Sequence, residues 1–422
     1  MTAVSTKTST TKAFVLSIVF LNALGMGLLI PVVPRLVEEL TGRGPQSASF
    51  ENGLLLSVYA AVAFLLSPFL GRLSDLFGRR RVLLLATAGT FFDYALCAVA
   101  HSFSILLIAR VLAGAFGAST SVASAALIDI TPPDDRARMF GLRSAVMGCG
   151  LIFGPVIGGS FMDIGLRMPF IVACVLAVCE FLFGLIWFPE TLHTRSQERL
   201  SLADINPLSS IRRIRELPFS KYLLVGVAFF QLGGTVTQSV LVLFTQAKFG
   251  WDGVQVGVLM TTLACTSVVI RYAGVRLALS VLGEGASIII GLGVFALGTL
   301  ALAFIQTGWQ LYVALIFGQC GTIAAPVMLG LMSRPVAPEM QGEAMGSITS
   351  VAALAEMAAP LIGALAFGGL GVLGAIHGGE LVFVVSAVLL ALATIAMVQG
   401  ILAQSRTTAP ITYAAECVNK VD

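Results

Sequence analysis

Twelve mostly apolar stretches, each near the 20 residues that a helix needs to cross a bilayer, recur from Ala13 to Leu402 with short polar breaks between them. They run over residues 13–34, 52–70, 82–100, 103–127, 140–162, 168–188, 221–245, 254–275, 286–305, 309–331, 343–367 and 378–402. Inside hydrocarbon every backbone N–H and C=O needs a partner from its own segment, so each stretch is expected to be a helix. Composition agrees: 57% of the 422 residues are hydrophobic and 11% charged, where a soluble domain carries about a quarter charged residues. Most of the surface must therefore face lipid, which argues against a soluble enzyme.

Residues 1–12 form a Ser/Thr-rich polar tail, and the apolar run that follows is long enough to span, so no cleavable leader is expected. Basic residues are retained on the cytoplasmic side of a membrane. Most of the 25 Lys and Arg fall on one side of the alternating loops, including Arg72, Arg79, Arg80, Arg81, Arg136, Arg138 and the arginines of 195–215. This asymmetry places both termini in the cytoplasm of a multi-pass inner-membrane protein, and it explains the net charge of +3 without a nucleic-acid partner. The seven cysteines show no metal spacing, and all but Cys417 read as small packing residues within helices.

The longest polar stretch, 189–219, separates six helices from six. The expected organisation is a six-helix bundle over 1–188, a cytoplasmic linker over 189–219, a second bundle over 220–405 and a tail over 406–422. With a shift of about 204 residues, Gly114 and Gly117 align with Gly318 and Gly321, and Pro155 and Gly158 with Pro360 and Gly363. Gly71 and Gly78 fall onto Gly274 and Gly283 within one position. A duplicated unit of this kind is common among membrane transporters, whose binding site lies near the midplane between the halves.

Between the second and third stretches stands Gly71-Arg72-Leu73-Ser74-Asp75-Leu76-Phe77-Gly78-Arg79-Arg80-Arg81. Its glycines allow a tight turn, and Asp75 with Arg79 offers opposite charges able to lock one conformation and release another. The fourth stretch carries Arg110 within Arg110-Val111-Leu112-Ala113-Gly114, and the fifth carries Gly148, Gly150, Gly154-Pro155 and Gly158-Gly159. An intramembrane arginine is costly and usually functional, and small residues let helices approach closely. These three runs resemble the signature motifs of the major facilitator superfamily. The resemblance implies an all-α fold of twelve transmembrane helices in two pseudo-symmetric six-helix bundles, and a loop arginine paired with an acid at the end of the fourth helix, where Asp129 stands.

Within that superfamily the chain is most similar to the tetracycline/proton antiporters of the twelve-helix drug-efflux branch. The likeness is carried by Leu24-Gly25-Met26-Gly27 through Pro31-Val32-Val33-Pro34, by Phe92-Asp93-Tyr94, and by Phe249-Gly250-Trp251. The chain departs from those antiporters at three polar positions. Asn22 stands for an acid in the first helix, 292–297 contains no acid in the ninth, and the region of Thr266 and Ser267 lacks a histidine in the eighth. These departures leave both the cargo and the proton path to other groups, of which Asp93 remains.

Asn22, Arg110, Gln231 and Gln319 belong to the first, fourth, seventh and tenth helices, the set that lines the cavity in the family. They either form a polar substrate pocket or bridge neighbouring helices. Asp93, Glu180 and Glu356 are deep acids suited to binding and releasing protons, and the intramembrane Arg110 is counted with them as a proton-coupling candidate. Arg271 either snorkels to the cytoplasmic surface or clamps an anionic solute. Gly71, Asp75, Gly78, Arg79, Arg80, Asp129, Gly154, Pro155, Gly158 and Gly159 are the candidate conformational switch. No phosphate-binding Gly-x4-Gly-Lys-Ser/Thr run occurs, so a proton gradient is the expected energy source.

The reading is a monomeric secondary transporter that exports a small drug-like or metabolite compound in exchange for protons, with no cofactor and no metal. The alternatives are a carrier of an anionic metabolite or carboxylate siderophore in either direction, and a non-transporting receptor or scaffold, which the deep acids oppose.

Overall fold

The computed structural model describes residues 2–117, 119–132, 135–162, 164–192, 221–333, 336, 341–368 and 379–418. Among the described residues there is no strand, as the closed bookkeeping of backbone hydrogen bonds in hydrocarbon requires. The helices are α1 (Thr2–Thr41), α2 (Ser49–Phe77), α3 (Arg79–Ala98), α4 (Phe103–Asp129), α5 (Arg136–Met162), α6 (Met168–Trp187) and α7 (Lys221–Phe249). Then comes one helical run over Gly253–Phe304, followed by α10 (Gly308–Ser333), α11 (Gln341–Phe367) and α12 (Leu381–Val418).

The 52 residues of Gly253–Phe304 would extend far beyond a hydrocarbon core about 30 Å thick at 1.5 Å per residue. Gly283 breaks the run with φ 72° and ψ 179°, a conformation that Cβ-bearing residues avoid. We number the part before it α8 and the part after it α9, which gives twelve long helices among the described residues. Prolines sit inside several helices, among them Pro31 and Pro34 in α1, Pro68 in α2, Pro155 in α5 and Pro360 in α11, where packing against neighbours compensates the lost N–H.

The backbone of α1 is helical from Thr2, ahead of the apolar span Thr11–Thr41, and α12 runs on to Val418, past the apolar span Leu381–Ala403 and through the stretch expected as a tail from 406. Of the expected linker 189–219, only the part up to Leu192 lies within the described residues.

The chain divides into two compact units. One holds the described parts of 1–207, 239–265 and 360–374, and the other those of 208–238, 266–359 and 375–422. The division falls at 207/208, within the stretch expected to be the linker, and also inside α7, α8 and α11. In the first unit, Phe14, Ile18, Leu83, Val122 and Phe188 pack one end of the core, while Leu28, Leu36, Leu106 and Phe170 pack the other. The later segments of that unit dock on these helices: a Cβ on Gly53 of α2 would meet the Pro360 carbonyl oxygen of α11 at 2.6 Å, and Thr261 Oγ1 donates to the Ile152 carbonyl at 2.7 Å. The second unit is centred on Leu223, Ile288, Leu292, Val327, Ile348 and Met397, drawn from α7, α9, α10, α11 and α12.

Candidate functional site

Asp93 on α3 and Arg110 on α4 are the deepest opposite charges described, with 3% and 8% of their surface exposed. Arg110 donates through one terminal guanidinium nitrogen to Asp93 Oδ1 at 2.6 Å. The same nitrogen approaches Cys97 Sγ at 3.2 Å, and Cys97 lies one helical turn beyond Asp93. Cys97 was read from sequence as a packing residue; it instead supplies a polarizable third member to a buried ion pair. Its spacing of four from Asp93 was the available signal, because positions four apart share a helix face.

Glu180, on α6, is 7% exposed, and its Oε1 has no hydrogen-bond partner among the described residues. It lines a small cleft with Asn22 of α1 and Thr90 and Tyr94 of α3. Asn22 donates its amide to the Ile18 carbonyl at 2.9 Å.

In the other unit, Gln231 of α7 donates to Glu356 Oε1 of α11 at 2.6 Å. Glu356 is exposed, so the depth inferred from its sequence position does not seal it from its surroundings. Gln319 on α10 is half-buried, and its carbonyl oxygen accepts from Thr322 Oγ1 at 2.8 Å. Arg271 is exposed within a π-helical turn, Ile270–Gly274, of α8. Such turns often mark functional positions because the widened ladder re-aims a side chain. Asn22 and Arg110 thus lie in one unit, and Gln231, Gln319, Arg271 and Glu356 in the other.

The switch candidates gather at the junction of α2 and α3. Gly78 takes φ +99°, which lets the chain turn between two helices with a single residue. Arg79 is 8% exposed and holds two acids: Asp75 Oδ1 at 2.6 Å and, through Nε, Asp129 Oδ2 at 3.1 Å from the end of α4. It also donates to Ser74 Oγ. Glu190, just beyond α6, accepts the Arg79 backbone N–H at 2.8 Å and packs its carboxylate where a Cβ on Gly78 would lie. An acid there satisfies one of the free N–H groups at the start of α3 and complements its dipole. Sequence reading missed Glu190, although an acid directly after an apolar span and close to a basic loop was a usable signal. Arg80 donates to the Leu185 carbonyl at 2.7 Å, tying the same junction to α6, and Gly71 sits in open space within α2.

Gly150, Gly154 and Gly158 repeat every four residues and so form one stripe on α5, pressed against α1. A Cβ on Gly154 would meet the Leu24 carbonyl oxygen and Gly27 Cα, each at 2.7 Å. Gly158 abuts the Leu28 carbonyl, whereas Gly159 points elsewhere, onto the Gly253 carbonyl of α8. Pro155 places its carbonyl oxygen 2.5 Å from where a Cβ on Gly257 would lie.

A second polar cluster, also missed from sequence, ties α1 to the end of α7. Arg35 donates to the Trp251 carbonyl at 2.9 Å. With its amide oriented to satisfy both neighbours, Gln246 accepts from Arg35 Nε and donates to Glu38 Oε1, each at 3.1 Å.

Comparison with known proteins places this arrangement in context. Residues 15–360 match the family profile described as Major Facilitator Superfamily. The chain is 35% identical over 348 residues to the class C tetracycline resistance protein of Escherichia coli, covering 82% of this chain and 87% of that protein. It is 27% identical over 361 residues to multidrug resistance protein 2 of Bacillus subtilis strain 168, covering 83% and 87%. Its fold is similar to the crystal structure of a nucleoside transporter, with a TM-score of 0.74 at 14% identity over 92% of this chain and 99% of that one.

Proposed function

We infer that this chain, which belongs to the Major Facilitator Superfamily, exports a small drug-like or metabolite compound in exchange for protons. It is a secondary transporter and a multi-pass membrane protein, and alternating access is its mode of work. Export is favoured because the relatives named above are resistance proteins for tetracycline and for multiple drugs.

The observation that carries the proton coupling is the Asp93–Arg110 pair at 2.6 Å. A proton arriving on Asp93 removes the counter-charge of a buried guanidinium that cannot itself deprotonate. Arg110 must then find another anion or move toward water, so protonation does mechanical work on α3 and α4. Glu356, exposed and hydrogen-bonded to Gln231, is the proton carrier of the second unit. Asn22, Gln231, Gln319 and Arg110 supply donors and acceptors for a polar cargo. The Arg79 cluster, with Asp75, Asp129 and the turn at Gly78, acts as the latch, while Arg80, Gly71 and the α5 glycines guide the movement.

The excess of Lys and Arg on one side of the loops supports both termini being cytoplasmic in an inner membrane, and the transporter is taken as a monomer. A second reading, a carboxylate cargo, draws on Arg271, a full positive charge exposed at a π-helical turn.

Inside-out membrane vesicles from cells with and without the gene test both. Proton-driven uptake is measured for tetracycline, a cationic dye and a tricarboxylate, with a protonophore as control. The antiporter reading expects gradient-dependent accumulation that Asp93→Asn and Glu356→Gln abolish. Accumulation of the tricarboxylate alone, lost in Arg271→Gln, selects the second reading. Gradient-independent flux, or wild-type flux in both acid variants, overturns the coupling.

A further inference from the structure

We propose that Glu180 is a further proton-binding site within the first unit, separate from the Asp93–Arg110 pair and housed in the cleft that it shares with Asn22, Thr90 and Tyr94. Two independent observations meet at this residue. The first is the cleft itself, enclosed by α1, α3 and α6 and polar at only these four side chains among its lining. The second is the orphaned Oε1 on a side chain more than nine-tenths buried.

An ionised carboxylate is an acceptor only, and at this depth it needs a cation or several donors. The cleft offers neither a lysine nor an arginine: α1 contributes the amide Asn22, α3 the hydroxyls of Thr90 and Tyr94, and α6 only Glu180 itself. Tyr94 is the single other titratable group of the lining, and its hydroxyl lies against Gly25. Arg110, a deep cation of the same unit, is engaged by Asp93. Glu180 therefore rests as the neutral acid, its O–H a donor to the cleft. The Asn22 carbonyl oxygen is an available acceptor, since the Asn22 nitrogen is turned back to Ile18.

The step is a protonation alone: a water-borne proton adds to one carboxylate oxygen and leaves by the same route, with no other bond made or broken. At 1.5 Å per residue Glu180 lies about 10 Å inside the Trp187 end of α6, close enough for water to reach it as helices part. Its use in transport rests on the antiporter reading above, whereas its protonation does not.

Infrared spectroscopy of the full-length transporter in lipid reads the carboxylic C=O band directly. At neutral pH the wild type should show such a band, absent in Glu180→Gln and kept in Asp93→Asn. In Glu180→Asp the band should persist at a shifted frequency, which decides the assignment even if Glu180→Gln does not fold. A band unchanged in Glu180→Gln and Glu180→Asp, or no band in the wild type, overturns the proposal. In proteoliposomes the protons exchanged per tetracycline should fall in Glu180→Gln while export continues at a reduced gradient. Unchanged stoichiometry there would leave Glu180 a structural acid and overturn its coupling role. Failure of wild-type vesicles to move any probe would sink the antiporter reading instead, with the band still deciding Glu180.

Discussion

Asp93 and Arg110 stabilise each other only as a pair, so removing one partner strands the other in hydrocarbon. A stranded carboxylate can neutralise itself by taking a proton, whereas a guanidinium cannot. Asp93→Asn is thus expected to destabilise the protein by about 3–5 kcal/mol, and Arg110→Leu by less. The double variant should recover most of the loss, which thermal unfolding in detergent of all four proteins would reveal as a coupled cycle. An additive double variant would mean that the two side chains do not hold each other. Both residues were legible in the sequence as charges where charges are rare, but their partnership was not. They lie 17 positions apart on different helices, and only the packing of α3 on α4 brings them together. Glu190 was missed for a related reason: the backbone N–H that it accepts belongs to a helix start 111 positions away, which only the fold brings beside it.

At the level of elements, the four-residue stripe on α5 was visible as glycine spacing, yet the spacing could not say which helix it touches. Gly154→Ala would drive a methyl into the α1 backbone, an overpacking expected to cost about 1–3 kcal/mol and to slow transport. Gly148, on the same helix with open space around it, is the control: Gly148→Ala should be neutral or stabilising, since alanine favours helix by about 0.5–1 kcal/mol. Equal effects of the two would show that α5 does not press on α1 through its stripe. The turn between α2 and α3 is governed by a backbone angle instead. Gly78→Ala meets both a φ of +99° and the Glu190 carboxylate, so it should unsettle the Arg79 cluster and reduce flux more than Gly71→Ala, whose site is open. Parallel flux assays of the two variants, normalised to the amount in the membrane, check this ranking. The π-helical turn at Arg271 was not legible, because residue spacing carries no mark of a widened backbone ladder.

Across the whole molecule the internal repeat survives at some positions and not at others, and the difference is physical. Gly78 and Gly283, matched by the repeat, both take positive φ, at +99° and +72°. The tenth-helix glycines behave differently from their counterparts: Gly114 abuts the Tyr59 carbonyl of α2, whereas Gly318 abuts Gly298 of α9. Backbone geometry has thus been kept where a turn demands it, and packing partners have drifted where any small surface serves. The most telling match went unnoticed in sequence: Gly53 and Gly257 are separated by the repeat shift, and so, within one residue, are Pro155 and Pro360. Gly53 lies under the Pro360 carbonyl and Gly257 under the Pro155 carbonyl, so the two contacts exchange repeats while both staying within one compact unit. A glycine leaves no side chain between the two backbones, so the facing helix can approach closely at each contact. If these are two copies of one device, Gly53→Val and Gly257→Val should slow transport by similar factors, and unfolding free energies of the double variant should be additive within about 0.5 kcal/mol. One substitution abolishing flux while the other leaves it intact would show instead that duplication preserved the glycines and not the task, leaving a single seam to carry the conformational change.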